Sequence, residues 1–368
     1  MRRRELKNME WWVLIIALIL CSIGLVALFS ATQESGYDAF YKQLIWIGIS
    51  LVVMVVFTLI DYESFVKSSP IFYIAFLLLL VAVLFTKPIN GATSWFDIGF
   101  FSFQPSEFAK VFVILFLTYA ISKIQLQQRE NINKISRLLL LLLIIGIPIL
   151  LILKEPDYGT AIAFIVAFFT MLFTAGIDKK YIIAIILLIA IAVPLLYNFV
   201  LPEHAKQRID VFLNPESDPR GSGYNILQSR LAIGAGELTG MGVLKGNQTQ
   251  LGFLYPKTTD FIFSVISEEM GFIVSCSIII LYVVLITKTL YIAKTAKNNT
   301  GSLIASGIAG IFLFHMLENI GMVMGLLPIT GVPLLFVSYG GSSLITSFMC
   351  IGLLLNISGK RQKTIFVK

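Results

Sequence analysis

The chain has 368 residues, of which 57% are hydrophobic and only 13% are charged, and its mean hydropathy is +0.87. Soluble domains carry about 25% charged residues, so this composition excludes an ordinary soluble protein and indicates that lipid is the solvent. The formal charge of +7 does not indicate nucleic-acid binding, because the basic residues are spread between apolar runs and form no stripe. We expect one integral membrane domain over residues 1–368.

The N-terminal segment is read as a membrane anchor. Its basic residues before the first apolar run resemble the start of a signal peptide, but the run continues to Ala31, which is too long for one. The first span is therefore retained in the protein.

Ten apolar runs follow one another along the chain, and each is close to the length of about 20 residues that spans a bilayer as a helix. They cover residues 11–31, 43–60, 70–85, 106–121, 138–153, 159–175, 181–201, 261–285, 303–327 and 341–357. The predicted fold is an all-α bundle of about ten transmembrane helices. A long folded loop, about 201–260, connects helices seven and eight.

Orientation follows from the lysine and arginine residues of the short loops, which favour the cytoplasmic side. With an even number of spans, the basic clusters place both termini in the cytoplasm. Four polar segments then fall on the extracytoplasmic face, at residues 104–110, 155–160, 201–260 and 327–343. We expect any chemistry to occur on that outer face.

The first polar segment places Ser106 as an N-cap and Glu107 in the first turn of the fourth helix. Lys110 follows Glu107 by three residues, so the two side chains share one face and can pair. A capped helix with an internal ion pair explains this pattern, and so does a functional pair, because a cation inside an apolar helix usually faces a cavity.

Further acidic residues lie near helix starts. Glu155 and Asp157 surround Pro156 at the start of the sixth helix, where capping is an equally good explanation. Glu268 and Glu269 lie about two turns into the eighth helix, and a buried acid pair needs a partner, a proton or a cation. We predict a structural or proton- or cation-linked role for Glu155, Glu268 and Glu269.

The long loop is predicted to pack on the bundle and to include an amphipathic interfacial helix over 225–236. Arg208, Arg220 and Arg230 suit a diphosphate, because guanidinium groups match phosphate oxygens in pairs; anionic lipid headgroups are the alternative. At the end of the loop Asp260 opens an apolar run, where it is either a simple N-cap or a group kept for a task.

Metal and nucleotide sites find little support in the residue pattern. The three cysteines lie inside apolar runs and the two histidines lie far apart in sequence, so neither disulfides nor a histidine-based metal site is suggested. The glycines of the loop lack the spacing of a phosphate-binding loop.

Five motifs occur in an order and spacing that resemble the SEDS family (shape, elongation, division and sporulation; the RodA, FtsW and SpoVE type). They are residues 104–110, 155–160, 223–229, 259–263 with Glu268, Glu269 and Gly271, and 319–343. The resemblance covers nearly the whole chain, whose short ends look more like the RodA or SpoVE type. It implies a peptidoglycan glycosyltransferase of the bacterial cell membrane that polymerises lipid II and works with a class B penicillin-binding protein.

The resemblance implies that Asp260 is the essential aspartate and that Glu107 and Lys110 are the family's acidic and basic pair. The expected substrate-binding residues are Lys42, Glu107, Lys110, Asp157, Arg208, Gln228, Arg230, Ser338 and Ser342. The chain departs from the family pattern at Lys42, Ser94, Lys257 and Thr258, which concerns substrate contacts and the level of activity.

The mechanism that we expect has Asp260 as general base on the acceptor hydroxyl, with inversion at the donor carbon. Positive charge from Lys110, Arg208 or Arg230, or a divalent Mg²⁺ or Mn²⁺ ion held by Asp260 and Glu107, would stabilise the departing diphosphate. A flippase of the lipid-linked precursor and a non-catalytic scaffold of the wall-synthesis complex are the alternatives. Paired broken helices at mid-membrane, which are typical of transporters, are not evident in the sequence.

Overall fold

A computed structural model of the chain describes residues 3–87, 93–97, 99, 102–126, 128–199, 203–219 and 221–361. These residues are mostly helical, with one two-stranded antiparallel ribbon, β1 Phe96–Asp97 and β2 Ser102–Phe103. The helices are α1 Arg3–Asn8, α2 Trp12–Ala31, α3 Asp38–Leu59, α4 Tyr62–Val83, α5 Pro105–Gln125, α6 Ile135–Lys154, α7 Tyr158–Ala175, α8 Lys179–Phe199, α9 Glu203–Leu213, α10 Ser222–Ala235, α11 Asn247–Gln250, α12 Ile262–Thr295, α13 Asn299–Val323 and α14 Gly341–Gly359.

Eight helices in the described part of the chain are long and apolar enough to cross a membrane. They are α2, α3, α4, α6, α7, α12, α13 and α14. Helices α5 and α8, with 21 residues each, coincide with the other two predicted apolar runs. The prediction of an all-α, multi-pass membrane protein is confirmed.

Some predicted boundaries differ from the helices. Helix α4 begins at Tyr62, well before the predicted start, because the Asp61 side chain caps it by accepting a hydrogen bond from the Glu63 N–H at 3.1 Å. Pro70 therefore lies inside this helix. Hydropathy misses such a start because the first turn is polar and continues the helix beyond the apolar core.

The predicted N-cap role of Ser106 is wrong. Helix α5 begins at Pro105, its N-cap is Gln104, and the hydroxyl of Ser106 is buried without a partner among the described residues. Proline favours the first helical position because it lacks an N–H and its φ is already helical. The N-cap therefore lies two residues earlier than predicted, at Gln104.

Helices α13 and α14 form the centre of the bundle. In the apolar 18-residue stretch of each, 78% and 83% of the residues are buried, against 22% for α3. Helix α13 packs on α5, α7 and α12, and α14 packs on α3 and α5. Glycine allows the closest approach: a Cβ on Gly310 would lie 2.6 Å from Thr170 Oγ1 and 2.9 Å from Ala167 Cα. Close packing over small residues drives helix association in lipid, where burying apolar surface brings little gain.

The two ends of the bundle have different side-chain chemistry. At the end where α1 and Arg361 lie, Glu10 accepts hydrogen bonds from Lys288 and Arg361, each at 3.1 Å. There Asn356 also donates to the carbonyls of Thr58 and Ile60. These contacts join α2, α3, α12 and α14. The four polar segments identified from the sequence meet at the opposite end.

The loop between α8 and α12 is folded, as predicted. Helix α10 coincides with the predicted interfacial helix, and α9 and α11 are additional. Ser229 of α10 lies 2.7 Å from Ser264 Oγ and donates to the Val323 carbonyl at 2.7 Å. The loop is thereby fastened to α12 and α13.

Helix α12 is interrupted at Gly271, where φ is 78° and ψ is −176°, a conformation that only glycine adopts readily. The loop segment 237–242 docks into the interruption. Four backbone hydrogen bonds join it to α12: Met241 N–H to Glu268 O, Gly242 N–H to Glu269 O, Phe272 N–H to Glu237 O and Ile273 N–H to Leu238 O. The loop thus replaces hydrogen bonds that the helix loses at the break.

Candidate active site

Asp260 lies immediately before α12, at the end of the bundle where the polar segments meet. The residue that precedes the helix as N-cap is Phe261, and no side-chain cap bond forms there, so Asp260 is not a simple helix cap. Its side chain is partly buried. A Cβ placed on Gly331 would lie 3.5 Å from Asp260 Oδ2, which puts the loop between α13 and α14 directly beside the carboxylate.

The surroundings of Asp260 favour its protonated form more than water does. Burial raises the pKa of Asp260 to about 6, although the Thr259 hydroxyl and the positive charge of Arg208 act in the opposite direction. The Arg208 guanidinium lies 5.8 Å from the ring centroid of Tyr158, at the start of α7. Asp260 is therefore a carboxyl group whose pKa is raised by burial and lowered in part by the charge of Arg208.

The backbone around Asp260 is held by buried side chains. Asn319 of α13 donates to the Asp260 carbonyl at 2.9 Å and to the Val332 carbonyl at 2.8 Å. Ser338 donates to the Thr259 carbonyl at 2.7 Å, and the Tyr339 N–H donates to the Thr258 carbonyl at 3.0 Å. The loop 327–340 thus holds Thr258 and Thr259, and α13 holds the backbone of Asp260 itself.

Glu107 and Lys110 form the predicted ion pair, at 2.8 Å, with both side chains nearly inaccessible to solvent. Lys110 Nζ also lies 3.0 Å from His315 Nε2, and Glu107 accepts a hydrogen bond from Thr346 at 3.3 Å. Cavities of about 10 Å³ adjoin Lys110, which is room for at most one water each. A paired charge in so enclosed a place is well satisfied but does not reach solvent.

Asp157 connects α7 with α5. It accepts from the Thr160 N–H at 3.1 Å as the N-cap of α7, which confirms the predicted cap, and from Gln104 Nε2 at 3.0 Å. Burial raises the pKa of Asp157, the Thr160 hydrogen bonds lower it, and the charges of Glu107 and Lys110 act on it in opposite directions. Asp157 therefore lies within electrostatic range of the buried pair.

Glu155 is fully buried, and both of its carboxyl oxygens lack a hydrogen-bond partner among the described residues. Burial and the nearby charge of Asp157 raise the pKa of Glu155 to about 8. The side chain is therefore protonated at neutral pH. Ser94, one of the departures from the family pattern, donates to the Glu155 backbone carbonyl at 3.2 Å.

Glu268 and Glu269 hold the loop onto α12. Glu268 accepts hydrogen bonds from the Gln248 and Thr249 N–H groups at 2.6 and 3.0 Å, at the start of α11. Glu269 accepts from the Ser30 hydroxyl at 2.7 Å. These contacts are what a structural role requires.

The other predicted substrate-binding residues are more dispersed. Ser342 accepts from the Gln104 N–H at 3.2 Å, so it belongs to the same end of the site as Asp157. Arg230 and Lys42 are exposed and Gln228 is partly buried, on helices α10 and α3. Arg220 lies outside the described residues.

Two further departures from the family pattern have clear contacts. Lys257 donates to Glu34 at 3.0 Å and to the Thr249 carbonyl at 2.9 Å, so it ties the end of the loop to the segment after α2. Thr258 contributes its carbonyl to the Tyr339 hydrogen bond. Neither residue displaces Asp260 from its position before α12.

The residues that could hold a divalent cation are few. Within the described residues there is no group of three or more His, Cys, Asp or Glu side chains arranged for a metal. Both oxygens of Glu107 already accept hydrogen bonds. Magnesium is usually bound by one or two carboxylates together with substrate phosphates, and Asp260 is the carboxylate that fits this pattern.

Sequence reasoning missed His315 and Asn319, both on one face of α13 and both almost fully buried. The distance between His204 and His315 in sequence argues only against a shared metal site and leaves other roles of His315 open. The available signal was the one used for Lys110: an ionisable group inside an apolar run is usually functional. Asn319, four residues after His315, shares its face of the helix.

The fold and the site define a class of protein. It is a polytopic membrane protein in which one end of the helix bundle forms a polar site around a carboxyl group with a raised pKa. Residues 10–363 match the FtsW/RodA/SpoVE family model of cell cycle proteins. The chain belongs to this family.

Relatives and a solved structure match over almost the full chain. The peptidoglycan glycosyltransferase MrdB of Escherichia coli strain K12 is 37% identical, over 95% of this chain and 93% of its own. The stage V sporulation protein E of Bacillus subtilis strain 168 is 37% identical, over 94% and 96%. A chain of a peptidoglycan synthase complex that coordinates polymerization and crosslinking is 26% identical and superposes with a TM-score of 0.82, over 95% and 97%.

Proposed function

We propose that this protein is a peptidoglycan glycosyltransferase that polymerises lipid II with Asp260 as its general base. The observation that carries the catalytic assignment is the partly buried Asp260 carboxyl group at the polar end of the bundle. Its pKa is raised to about 6 by burial, and the charge of Arg208 acts on it. A general base works best with a pKa near the operating pH, and such help contributes about 10² to 10⁴ in rate.

In the proposed step, the acceptor is the 4-hydroxyl of N-acetylglucosamine and the donor is lipid-diphosphate-linked N-acetylmuramic acid. Asp260 takes the hydroxyl proton as the oxygen attacks the anomeric carbon. The bond from that carbon to the diphosphate oxygen breaks, and the diphosphate leaves with the electron pair. An α-linked donor that yields a β-1,4 bond requires inversion, so one base suffices and no covalent intermediate forms.

Arg208 is the cation that we assign to the departing diphosphate, since its charge acts on Asp260 and guanidinium groups bind phosphate oxygens in pairs. Lys110 is enclosed, and its charge acts on Asp157 at the same end of the bundle. A divalent cation bound by Asp260 and the substrate phosphates would add Lewis-acid stabilisation of the leaving group. Titration of activity with EDTA and with added Mg²⁺ or Mn²⁺ tests that requirement.

The test of the catalytic assignment is strand synthesis from fluorescent lipid II by the purified protein and by Asp260→Asn. The variant keeps the shape of the side chain and lacks the base, so we expect loss of about 10²- to 10⁴-fold in rate. Asp38→Asn, an exposed carboxylate at the start of α3, is the matched control and should polymerise normally. Wild-type rates from Asp260→Asn would refute the role.

The transporter alternative is disfavoured by the packing, because the cavities beside Lys110 hold one water each at most. The transporter alternative would be supported if the protein, reconstituted in liposomes, moved labelled lipid II across the bilayer and made no glycan strands. For the scaffold alternative, an Asp260→Asn gene that fully supports growth would be the supporting result.

We also propose that the Asp260 end faces outside the cytoplasm and that both termini lie inside. Single cysteines introduced at Glu216 and at Lys297, which lie at opposite ends of the bundle, test this with a membrane-impermeant thiol reagent. Labelling in whole cells at residue 216 alone is expected. The proposed partner is a class B penicillin-binding protein, by analogy with the matched synthase complex, and co-purification from the membrane tests it.

A further inference from the structure

His315 lies near the middle of α13 and is 1% exposed. Its Nδ1 atom lies 3.0 Å from the Pro333 carbonyl oxygen, and its Nε2 atom lies 3.0 Å from Lys110 Nζ. Both ring nitrogens are therefore engaged, one with the loop between α13 and α14 and the other with the buried ammonium of α5.

These contacts determine the tautomer of the ring. A carbonyl oxygen only accepts hydrogen bonds, so Nδ1 must carry the proton that it donates to Pro333. An ammonium group only donates, so Nε2 must present its lone pair to Lys110. The imidazole is neutral, with its proton on Nδ1, and it acts as donor to the loop and acceptor from the lysine at once.

The contact with His315 helps to fix the position and orientation of the Lys110 ammonium group. An ammonium group has three N–H donors; Glu107 takes one at 2.8 Å and His315 takes a second at 3.0 Å. Two fixed bonds on a tetrahedral nitrogen fix the third. Without His315, the ammonium could rotate about its remaining bond to Glu107.

The loop contact connects this network with Asp260. The side-chain amide of Asn319 donates to the carbonyl of Asp260 and to the carbonyl of Val332, the residue before Pro333. His315 and Asn319 are one helical turn apart and form hydrogen bonds to the neighbouring loop residues Pro333 and Val332. One face of α13 therefore sets the position of the loop, of Asp260 and of Lys110 relative to one another.

We propose that His315 is a positioning residue that aligns the Lys110 ammonium with the Asp260 site, and that the reaction depends on its Nε2 contact. The proposal rests on the glycosyltransferase function above. The charge of Lys110 acts on Asp157 at the polar end of the bundle, and the contact with His315 makes the position of the ammonium group depend on a docked loop. Misplacement of a group by about 1 Å can cost about 10²-fold in rate.

Two substitutions separate the two contacts of the ring. An asparagine amide reaches the place of Nδ1 and retains the bond to Pro333, but it is too short for Lys110. A glutamine amide oxygen reaches the place of Nε2 and retains an acceptor for Lys110, but it loses the loop bond. Leu317→Ala, on the lipid-facing side of α13 where Leu317 is 51% exposed, is the control for general effects of altering this helix.

The measurements are kcat and KM for lipid II polymerisation and the thermal unfolding midpoint of each purified variant. We expect His315→Asn to lower kcat about 10- to 100-fold with little change in KM. His315→Gln should remain within about threefold of wild type, since its carboxamide oxygen is a neutral acceptor like Nε2. Leu317→Ala should behave as wild type.

Other outcomes overturn the proposal. If His315→Asn is active and His315→Gln is not, the loop bond is what matters. Equal losses in both variants, with equal loss of thermal stability, indicate a packing role. If His315→Asn does not fold, loss of activity in a folded His315→Gln still refutes the proposal, whereas retained activity supports it. Wild-type protein that makes no strands would instead contradict the function itself.

Discussion

The pH dependence of polymerisation is the most discriminating prediction for Asp260. A base must be ionised to act, and burial raises the pKa of Asp260 to about 6. At pH 5 such a group is ionised in about one tenth of molecules, whereas an unperturbed aspartate, with a pKa of about 3.9, is ionised in more than about nine tenths. We therefore expect kcat/KM at pH 5 to fall to about one tenth of its plateau.

The assay is initial-rate polymerisation of fluorescent lipid II between pH 4.5 and 8.5, with protein integrity checked by unfolding midpoint at each pH. Arg208 lowers the pKa of Asp260, so Arg208→Gln should move the acid limb to higher pH besides lowering the plateau. Asp260→Asn should lack the limb altogether. An acid limb near pH 4, or the same limb in Asp260→Asn, would refute the reasoning.

Three further results are expected. The pKa of Glu155 is raised to about 8 in the folded protein, so folding takes up a proton and wild-type stability should fall as pH rises from 4.5 to 8. Glu155→Gln should remove this pH dependence of the thermal unfolding midpoint. An unchanged pH dependence in the variant would contradict the prediction. Ser338→Ala removes the bond to the Thr259 carbonyl and should cost about 1–3 kcal/mol of stability, seen in denaturant unfolding, and lower activity as Asp260 loosens. Gly271→Ala puts a residue with a Cβ atom in a backbone conformation that costs about 1–3 kcal/mol, and the Cβ would clash with the backbone of the loop. Less folded protein should therefore be recovered from membranes. An unaltered yield and thermal unfolding midpoint would show that the break tolerates a side chain.

Site residues whose contacts are made within a few residues along the chain were easier to predict than those whose partners are distant in sequence. The Glu107–Lys110 pair was predictable because helical spacing alone brings the two side chains together. The Asp157 cap was predictable because capping depends on the next few residues. Ser106 was misassigned because the neighbouring proline decided where the helix begins.

Residues whose role depends on distant partners were not predictable in the same way. Glu268 and Glu269 look in the sequence like a costly acid pair. In the structure the docked loop donates N–H and hydroxyl groups to Glu268, and Ser30 of α2 donates its hydroxyl to Glu269. The break of α12 at Gly271 reads as an ordinary glycine in an apolar run. Its reason is the loop backbone that enters there.

Composition and hydropathy by themselves determined the membrane class and the ten apolar runs of this protein, because a bilayer demands long apolar helices that satisfy their own backbone. The order of its polar motifs determined the family. Only the tertiary structure decided that Asp260, Asn319, His315 and Lys110 belong to one network, since these residues come from α5, α13 and the end of the long loop. A hydrogen bond depends on distance in space, and no periodicity within one helix records which loop will pack against it.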